Sequence, residues 1–334
     1  MSILLTGGLG YIGSHTAVEL LNRGKEIIIA DDLSNSKIEV KEKIKEITNK
    51  NIKVVIADLK NLKKADKIFK KNNIEAVVHF AGYKAVGESV KKPVDYYENN
   101  IVSTLNILKC MEKYNVKNLV FSSSATVYGT NEQMPLREDF PTGATNPYGR
   151  TKLFIEEILK DYAIAHTDFN VAILRYFNPI GAHESGLIGE NPNGIPNNLM
   201  PYITKVATGK LKELNIFGND YPTKDGTGVR DYIHVCDLAL GHALALDKLN
   251  ENPGVFICNL GTGTGYSVLE IVNTFNKVNG NLVNYKFAER RPGDITTCYA
   301  DTTKAFNELK FKTTYTLEDM CKSSYEFEKN NSNK

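Results

Sequence analysis

Apolar positions in the first 175 residues fall into short, near-continuous runs separated by longer stretches of helical period. The runs Ile3–Thr6, Glu26–Asp31, Ile52–Ala57, Ala76–Phe80, Asn118–Ser122 and Val171–Arg175 lack strict alternation, as strands buried on both faces do. Between them, Ile12–Asn22, Lys37–Thr48, Leu62–Lys71, Val94–Tyr114 and Pro147–His166 read as helices. Six strands joined by five helical crossovers predict an α/β fold built on a doubly wound parallel sheet.

Past Tyr176 the rhythm changes. Residues 177–200 and 217–229 are rich in Asn, Gly and Pro, and loops of that length in a compact domain usually serve a site. Helical patterns return at Val235–Lys248 and Ser267–Asn279, with a strand-like Val255–Leu260 between them. The pattern divides the chain into a sheet-forming domain over 1–177 and a smaller, loop-rich domain over 178–334. Part of 233–262 is free to pack back on the first. The closing EKNNSNK is expected to fray.

Composition narrows the function classes. The 334 residues carry 41 basic and 39 acidic side chains, a balance that argues against a dedicated nucleic-acid partner. No apolar run approaches the roughly 18 residues of a membrane span, and no leader-like segment opens the chain, so a cytoplasmic location is expected. Five widely spaced cysteines with no C-x-x-C, and six histidines with no ligand-like spacing, speak against a disulfide framework or a metal site. His79, set among apolar neighbours, reads as a buried, hydrogen-bonded ring.

The sharpest local signal is the run from Gly7 through Gly10, Tyr11 and Ile12 to Gly13, between a strand and a helix. Its glycines permit a tight turn and close approach of a pyrophosphate to a helix N-terminus. Asp31, 18 residues beyond Gly13, ends the second strand, where a carboxylate holds ribose hydroxyls and repels a 2′-phosphate. This selects NAD; the plainer alternative is a solvated loop acid. Asp58 and the segment Phe80-Ala81-Gly82-Tyr83-Lys84 lie at later strand ends on the same edge.

The chemistry-bearing pair is Tyr148 and Lys152, one turn apart on a predicted helix, with Ser124 at the preceding strand end. A free phenol titrates near 10, and a nearby ammonium favours its anion. Alone, Y-x-x-x-K is usually a helix surface pair. Beside the glycine turn and Ser124 it reads as a proton-transfer site.

Taken together, TGGLGYIGSHT, FAGYKAVGES, SSSATVYG, NPYGRTK, RYFNPIGAH, DGTGVRDYIHV and RRPGD resemble the extended short-chain dehydrogenases/reductases, and specifically their UDP-glucose 4-epimerase branch. The resemblance spans nearly the whole chain and implies a Rossmann-type fold. It also implies C4 epimerisation of UDP-glucose and UDP-galactose through a transient 4-keto sugar, with NAD as cofactor and no net oxidation. Tyr148 would be the base, Lys152 its tuning cation and Ser124 a proton relay. Tyr11, Ile12, Asp31, Asn35, Ser36, Asp58, Leu59, Phe80, Ala81, Gly82, Lys84, Asn99 and Phe177 resemble NAD contacts. Tyr176, Asn178, Asn198, Leu199, Phe217, Arg230, Arg291 and Asp294 resemble contacts to the UDP-sugar. Lys84 could touch either ligand.

A diphosphate calls for multidentate cations, which suits Arg230 and Arg291, although Arg230 could instead pair with Asp231. Dehydratase relatives carry Asp-Glu after the strand-end hydroxyl, where this chain has Ala125-Thr126. Cys298 stands where a bulky tyrosine walls the sugar pocket in strict members. That implies turnover of UDP-GlcNAc and UDP-GalNAc as well; the alternative is a small core residue. A homodimer is the family expectation. Competing readings are a UDP-glucuronate epimerase or decarboxylase of the same fold, and a non-catalytic NAD-binding regulator.

Overall fold

The computed structural model describes residues 1–192, 196, 198–291 and 294–332. The chain forms two compact units, one of residues 1–129, 141–176 and 239–258, the other of 130–140, 177–238 and 259–334.

In the first unit, β1 (Ser2–Thr6), α1 (Tyr11–Asn22), β2 (Glu26–Asp31), α2 (Val40–Thr48), β3 (Lys53–Ile56), α3 (Leu62–Lys71) and β4 (Ile74–His79) follow the expected alternation. Then come α4 (Val86–Lys91), α5 (Pro93–Tyr97), α6 (Ser103–Lys113), β5 (Asn118–Ser122), α7 (Pro147–Ala165) and β6 (Asn170–Tyr176). The six predicted strands are all present and pair in parallel in the order β3-β2-β1-β4-β5-β6. The order reverses between β1 and β4, the switch point at which such sheets bind ligands beyond their carboxyl ends.

The inner strands are mostly apolar because both their faces are covered, whereas edge strand β3 leaves Lys53 and Ile56 exposed. Leu4, Leu5, Ile29, Val77, Val78, Leu119 and Val120 have essentially no exposed surface. Each such side chain is worth about 1.5–3 kcal/mol of transfer free energy. Helices α3, α6 and α7 supply Ile68, Phe69, Ile107, Met111, Ile155 and Leu159 to one continuous core cluster.

The expected helix over Val94–Tyr114 is broken. Residues 98–102 form a π-helical turn between α5 and α6, which inserts an extra residue and buries both Asn99 and Asn100. Helix α2 begins at Val40, three residues later than its pattern suggested.

The second unit holds β7 (Asn178–Ile180), α8 (Leu199–Ala207), β8 (Leu214–Phe217) and β9 (Val229–His234), which runs into α9 (Val235–Lys248). Strand β10 (Val255–Leu260) is the seventh strand of the main sheet, beside β6. The chain closes with β11 (Gly265–Ser267), α10 (Val268–Asn279), β12 (Tyr285–Ala288), β13 (Thr297–Cys298), α11 (Thr303–Leu309) and α12 (Leu317–Ser332). β9 is the hub, flanked by β7, β11 and β13. Helices α8, α10 and α12 enclose a core of Ile203, Ile271, Phe275 and Met320.

The stretch 177–200 is therefore not all loop. The terminal segment is helical through Ser332 rather than frayed, because Phe327 and Glu328 are buried and Lys210 pairs with Glu328 at 2.7 Å. Residues 333 and 334 lie outside the described set.

Candidate active site

The turn after β1 is built for a close approach. Gly7 has φ +67°, and a Cβ there would lie 2.9 Å from the Ala81 backbone nitrogen. A Cβ on Gly13 would meet the Gly7 carbonyl oxygen at 2.4 Å. Gly10 caps α1 without a side-chain acceptor, and the first-turn N–H groups of a helix have no intrahelical partner. Tyr11 and Ile12 open that helix.

Asp31 is buried at the end of β2. Its Oδ2 accepts from Leu9 N at 3.0 Å, and its Oδ1 from Leu33 N at 3.0 Å and Ser36 Oγ at 2.7 Å. One carboxylate thus ties the glycine turn to the loop after β2, where Asn35 is exposed. Asp58 is half-buried and accepts from Lys60 N at 2.9 Å; the Leu59 carbonyl is held by Asn106 Nδ2 at 2.9 Å.

After β4, Ala81 N donates to Thr6 Oγ1 at 3.3 Å, and the Phe80 ring lies 4.9 Å from that of His242. Tyr83 N donates to Asn100 Oδ1 at 2.7 Å, while Asn100 Nδ2 reaches Tyr83 O and Thr151 Oγ1. The π turn thereby ties the loop carrying Gly82 to α7. Asn99 donates to Asn100 Oδ1 at 3.1 Å, and exposed Lys84 sits 5.8 Å over the Tyr11 ring. A bare glycine cradle, an uncapped helix start and a buried strand-end carboxylate are a donor set that fits NAD.

Helix α7 starts cleanly because Asn146 caps it, accepting from Gly149 N at 2.9 Å, with Pro147 at its first position. Tyr148 and Lys152 share its inward face at 6 % and 5 % exposure, so they are not the surface pair the spacing alone allowed. Lys152 Nζ donates to the Ser122 carbonyl at 2.7 Å and stands 4.9 Å over the Phe121 ring. Ser124 follows β5 and accepts from Thr126 Oγ1 at 3.0 Å and Thr126 N at 3.2 Å.

Burial pushes the Tyr148 phenol above its usual range, against the pull of its hydrogen bond with Ser124. Burial also pushes the Lys152 ammonium down to about 8, opposed by the Glu156 carboxylate. Tyr176, at the end of β6, is likewise raised by burial. His79 is the buried ring expected, with Thr6 Oγ1 2.6 Å from Nδ1 and Thr104 Oγ1 3.0 Å from Nε2.

In the second unit, Phe217 at the end of β8 carries the Arg291 guanidinium 5.0 Å from its ring, and Arg291 pairs with Asp294 at 2.9 Å. Cys298 is buried and in register with Arg230 across β13 and β9. Arg230 donates to the carbonyls of Val229 and Thr296 rather than to Asp231. Asp231 is fully buried and accepts from Thr262 N and Oγ1, Gly263 N and Ala300 N. Asn198 caps α8 by position, yet its side chain donates to Glu190 Oε1 at 2.7 Å, and Leu199 is the first helical residue. Buried Phe177 donates its N–H to the Leu260 carbonyl at 3.3 Å, and Asn178 is exposed on β7.

Sequence reasoning missed the ion pair of Glu156 and Arg175, whose side chains are 0 % and 2 % exposed. The signal was available, since Glu156 lies one turn beyond Lys152 on the same face. It also missed Asn100, which is visible only once the helix is seen to carry a π turn. Among the described residues no group of His, Cys, Asp and Glu could hold a metal ion, and no helix is long and apolar enough to cross a membrane.

The family model described as GDP-mannose 4,6 dehydratase matches residues 4–324. The UDP-glucose 4-epimerase of Bacillus subtilis (strain 168) is 60% identical over 333 residues, covering 100% of this chain and 98% of its own. Among solved structures, the UDP-glucose 4-epimerase of Bifidobacterium longum in complex with NAD+ and UDP superposes with TM-score 0.96. It is 52% identical and covers 100% of this chain and 99% of that one. The UDP-Glc/GlcNAc 4-epimerase of Campylobacter jejuni superposes at 0.86, is 37% identical, and covers 98% and 99% of the two chains. By fold and by end-to-end identity, the chain belongs to the UDP-glucose 4-epimerases, NAD-dependent isomerases with a Rossmann-like sheet.

Proposed function

We propose that the protein interconverts UDP-glucose and UDP-galactose by epimerisation at C4, using Tyr148 as acid and base. The observation that carries this is the buried Tyr148 phenol, hydrogen-bonded to Ser124 and one helical turn from Lys152. When bound, NAD supplies the redox partner for the sugar C4 and a positive charge near the phenol. Tyr148 takes the proton of the sugar 4-hydroxyl as C4 is oxidised and returns it when C4 is reduced on its other face. Ser124 Oγ passes or holds that proton.

Lys152, fixed on the Ser122 carbonyl, favours the phenolate and holds the nicotinamide ribose. The glycine turn, Asp31, Asn35, Ser36, Asp58, Leu59, residues 80–82, Lys84, Asn99 and Phe177 hold the cofactor. In the second unit, Arg230 and Arg291 bind the diphosphate, with Asp294 orienting Arg291. Tyr176, Asn178, Asn198, Leu199, Phe217 and Cys298 complete the UDP-sugar contacts.

Ala125 and Thr126, where dehydratases carry an acid and a carboxylate, favour epimerisation over water elimination despite the name of the matching family model. Small Cys298 supports turnover of the N-acetylated UDP-hexoses too. A place in galactose metabolism follows from the substrates, and five free cysteines suit a reducing, cytoplasmic setting. Exposed Val94, Phe154 and Ile164 on α5 and α7 favour a homodimer, which sedimentation would read. Conversion of UDP-galactose to UDP-glucose by the purified protein tests the central reading.

A further inference from the structure

Beneath the catalytic face of α7 lies a group of charges that the mechanism above does not use. Glu156 is completely buried at the i+8 position from Tyr148 and i+4 from Lys152. Arg175 of β6 meets it with Nη2 on Oε2 at 2.7 Å and Nε at 3.1 and 3.2 Å from the two oxygens. The Arg175 guanidinium in turn stands 4.9 Å over the Tyr128 ring. The Glu156 Oε1 atom also accepts from Ser123 Oγ at 2.5 Å.

That last bond matters because of where Ser123 sits. The residue before it presents the carbonyl that holds Lys152 Nζ, and the residue after it is Ser124, partner of the Tyr148 phenol. One carboxylate therefore grips the middle of the three-serine segment whose two ends position the catalytic pair. The Ser123 N–H donates to the Leu174 carbonyl at 2.8 Å, so side chain and backbone fix this residue from different directions.

We propose that Glu156 is a positioning residue for the Tyr148–Lys152 pair. Through Ser123 it sets the strand end that holds Lys152 and Ser124, and its negative charge keeps the Lys152 ammonium protonated against burial. The other groups facing the pair cannot do this. From β4, His79 is neutral in the working range, since burial pushes it down to about 3. From α5 and β6, Tyr96 and Tyr176 are raised and uncharged. Lys84, after β4, and Arg175, from β6, are cations. Glu88, on α4, is exposed and already engaged by Lys92 and Tyr96, so Glu156 is the buried carboxylate among the described groups.

The role assigned to Tyr148 and Lys152 rests on the proposed function, but the charge claim can be read without it. In cofactor-loaded protein with carbon-13 at lysine Cε, and with Lys152→Met to assign the signal, Glu156→Gln is expected to lower the Lys152 titration by about one pH unit. The alkaline limb of kcat should move down with it while KM stays within about twofold. An unmoved Lys152 signal overturns the charge claim. A wild-type protein inactive on UDP-galactose, with the signal still shifted, faults the proposed function instead.

Should Glu156→Gln fail to fold with Arg175 left unpaired, Ser123→Ala decides the positioning claim. It removes one hydroxyl and leaves the ion pair. Expected is a roughly tenfold loss of kcat with unchanged KM and an unchanged Lys152 titration. Full activity in a folded Ser123→Ala protein overturns the positioning role.

Discussion

Cys298 occupies the second position of a two-residue strand, buried and level with Arg230. If its small size admits the N-acetyl group, Cys298→Tyr should lower turnover of UDP-GalNAc roughly 100-fold while UDP-galactose keeps most of its rate. Parallel assays on the two substrates check this; an equal loss on both would show that Cys298 only packs. At this scale the sequence was readable where a residue's chemistry acts locally. Tyr148, Lys152, Ser124 and Asp31 all sit at strand ends or helix starts, and motif spacing finds such positions. It is silent on Asn100, because a buried amide declares itself only through partners 17 and 51 residues away. For Arg230, spacing left open an ion pair with Asp231. The strand resolves this by turning neighbouring side chains to opposite faces.

Elements explain which local patterns survived. Most strands of the main sheet are apolar runs with helices between, so their existence and parallel pairing are legible from periodicity, whereas their order across the sheet is not. Strands β7, β11 and β13 are two or three residues long and exist only because β9 offers them partners, a context no local window contains. The last helix is hard to read for a different reason. Its buried stripe of Leu317, Met320, Cys321, Ser324, Phe327 and Glu328 keeps helical spacing but includes a serine and a glutamate. The serine accepts from Gly181 N at 3.1 Å and the glutamate is matched by Lys210, so both polar residues are satisfied inside. The turn from β1 into α1 is the element on which cofactor binding depends most directly. Gly13→Ala would press a methyl against the Gly7 carbonyl, costing about 2 kcal/mol or more of stability. The variant should lose bound NAD on purification, as absorbance and chromatography of the released nucleotide would report. Full cofactor occupancy would contradict the assigned cradle.

For the whole molecule, the near balance of charge says little about pH response, which is set by a few buried groups. His79 and His234 are pushed down by burial to about 3 and about 4. Both are neutral in the fold and bind protons when unfolded near their ordinary value of 6.5. Their contribution is complete above about pH 6.5 and is lost as pH falls toward the folded values. For His79 alone that is roughly 3 kcal/mol by about pH 4. Buried Asp231 and Asp237 are raised by burial and act in the opposite sense. Urea unfolding between pH 7 and 4 should therefore show falling stability in wild type and a shallower fall in His79→Gln. Identical slopes would mean that His79 is protonated in the fold.

The proposed activity requires that Tyr148 move a proton in a reaction that ends with no net oxidation. The direct measurement is to give purified protein UDP-galactose, without added NAD, and to follow UDP-glucose together with reduced-nicotinamide absorbance. Wild type should form UDP-glucose as fast as UDP-galactose disappears, with no steady build-up of reduced cofactor. Tyr148→Phe should retain its NAD and lose at least about 1000-fold in rate. Reduced cofactor accumulating in step with substrate loss, or a Tyr148→Phe protein of undiminished activity, would contradict the account.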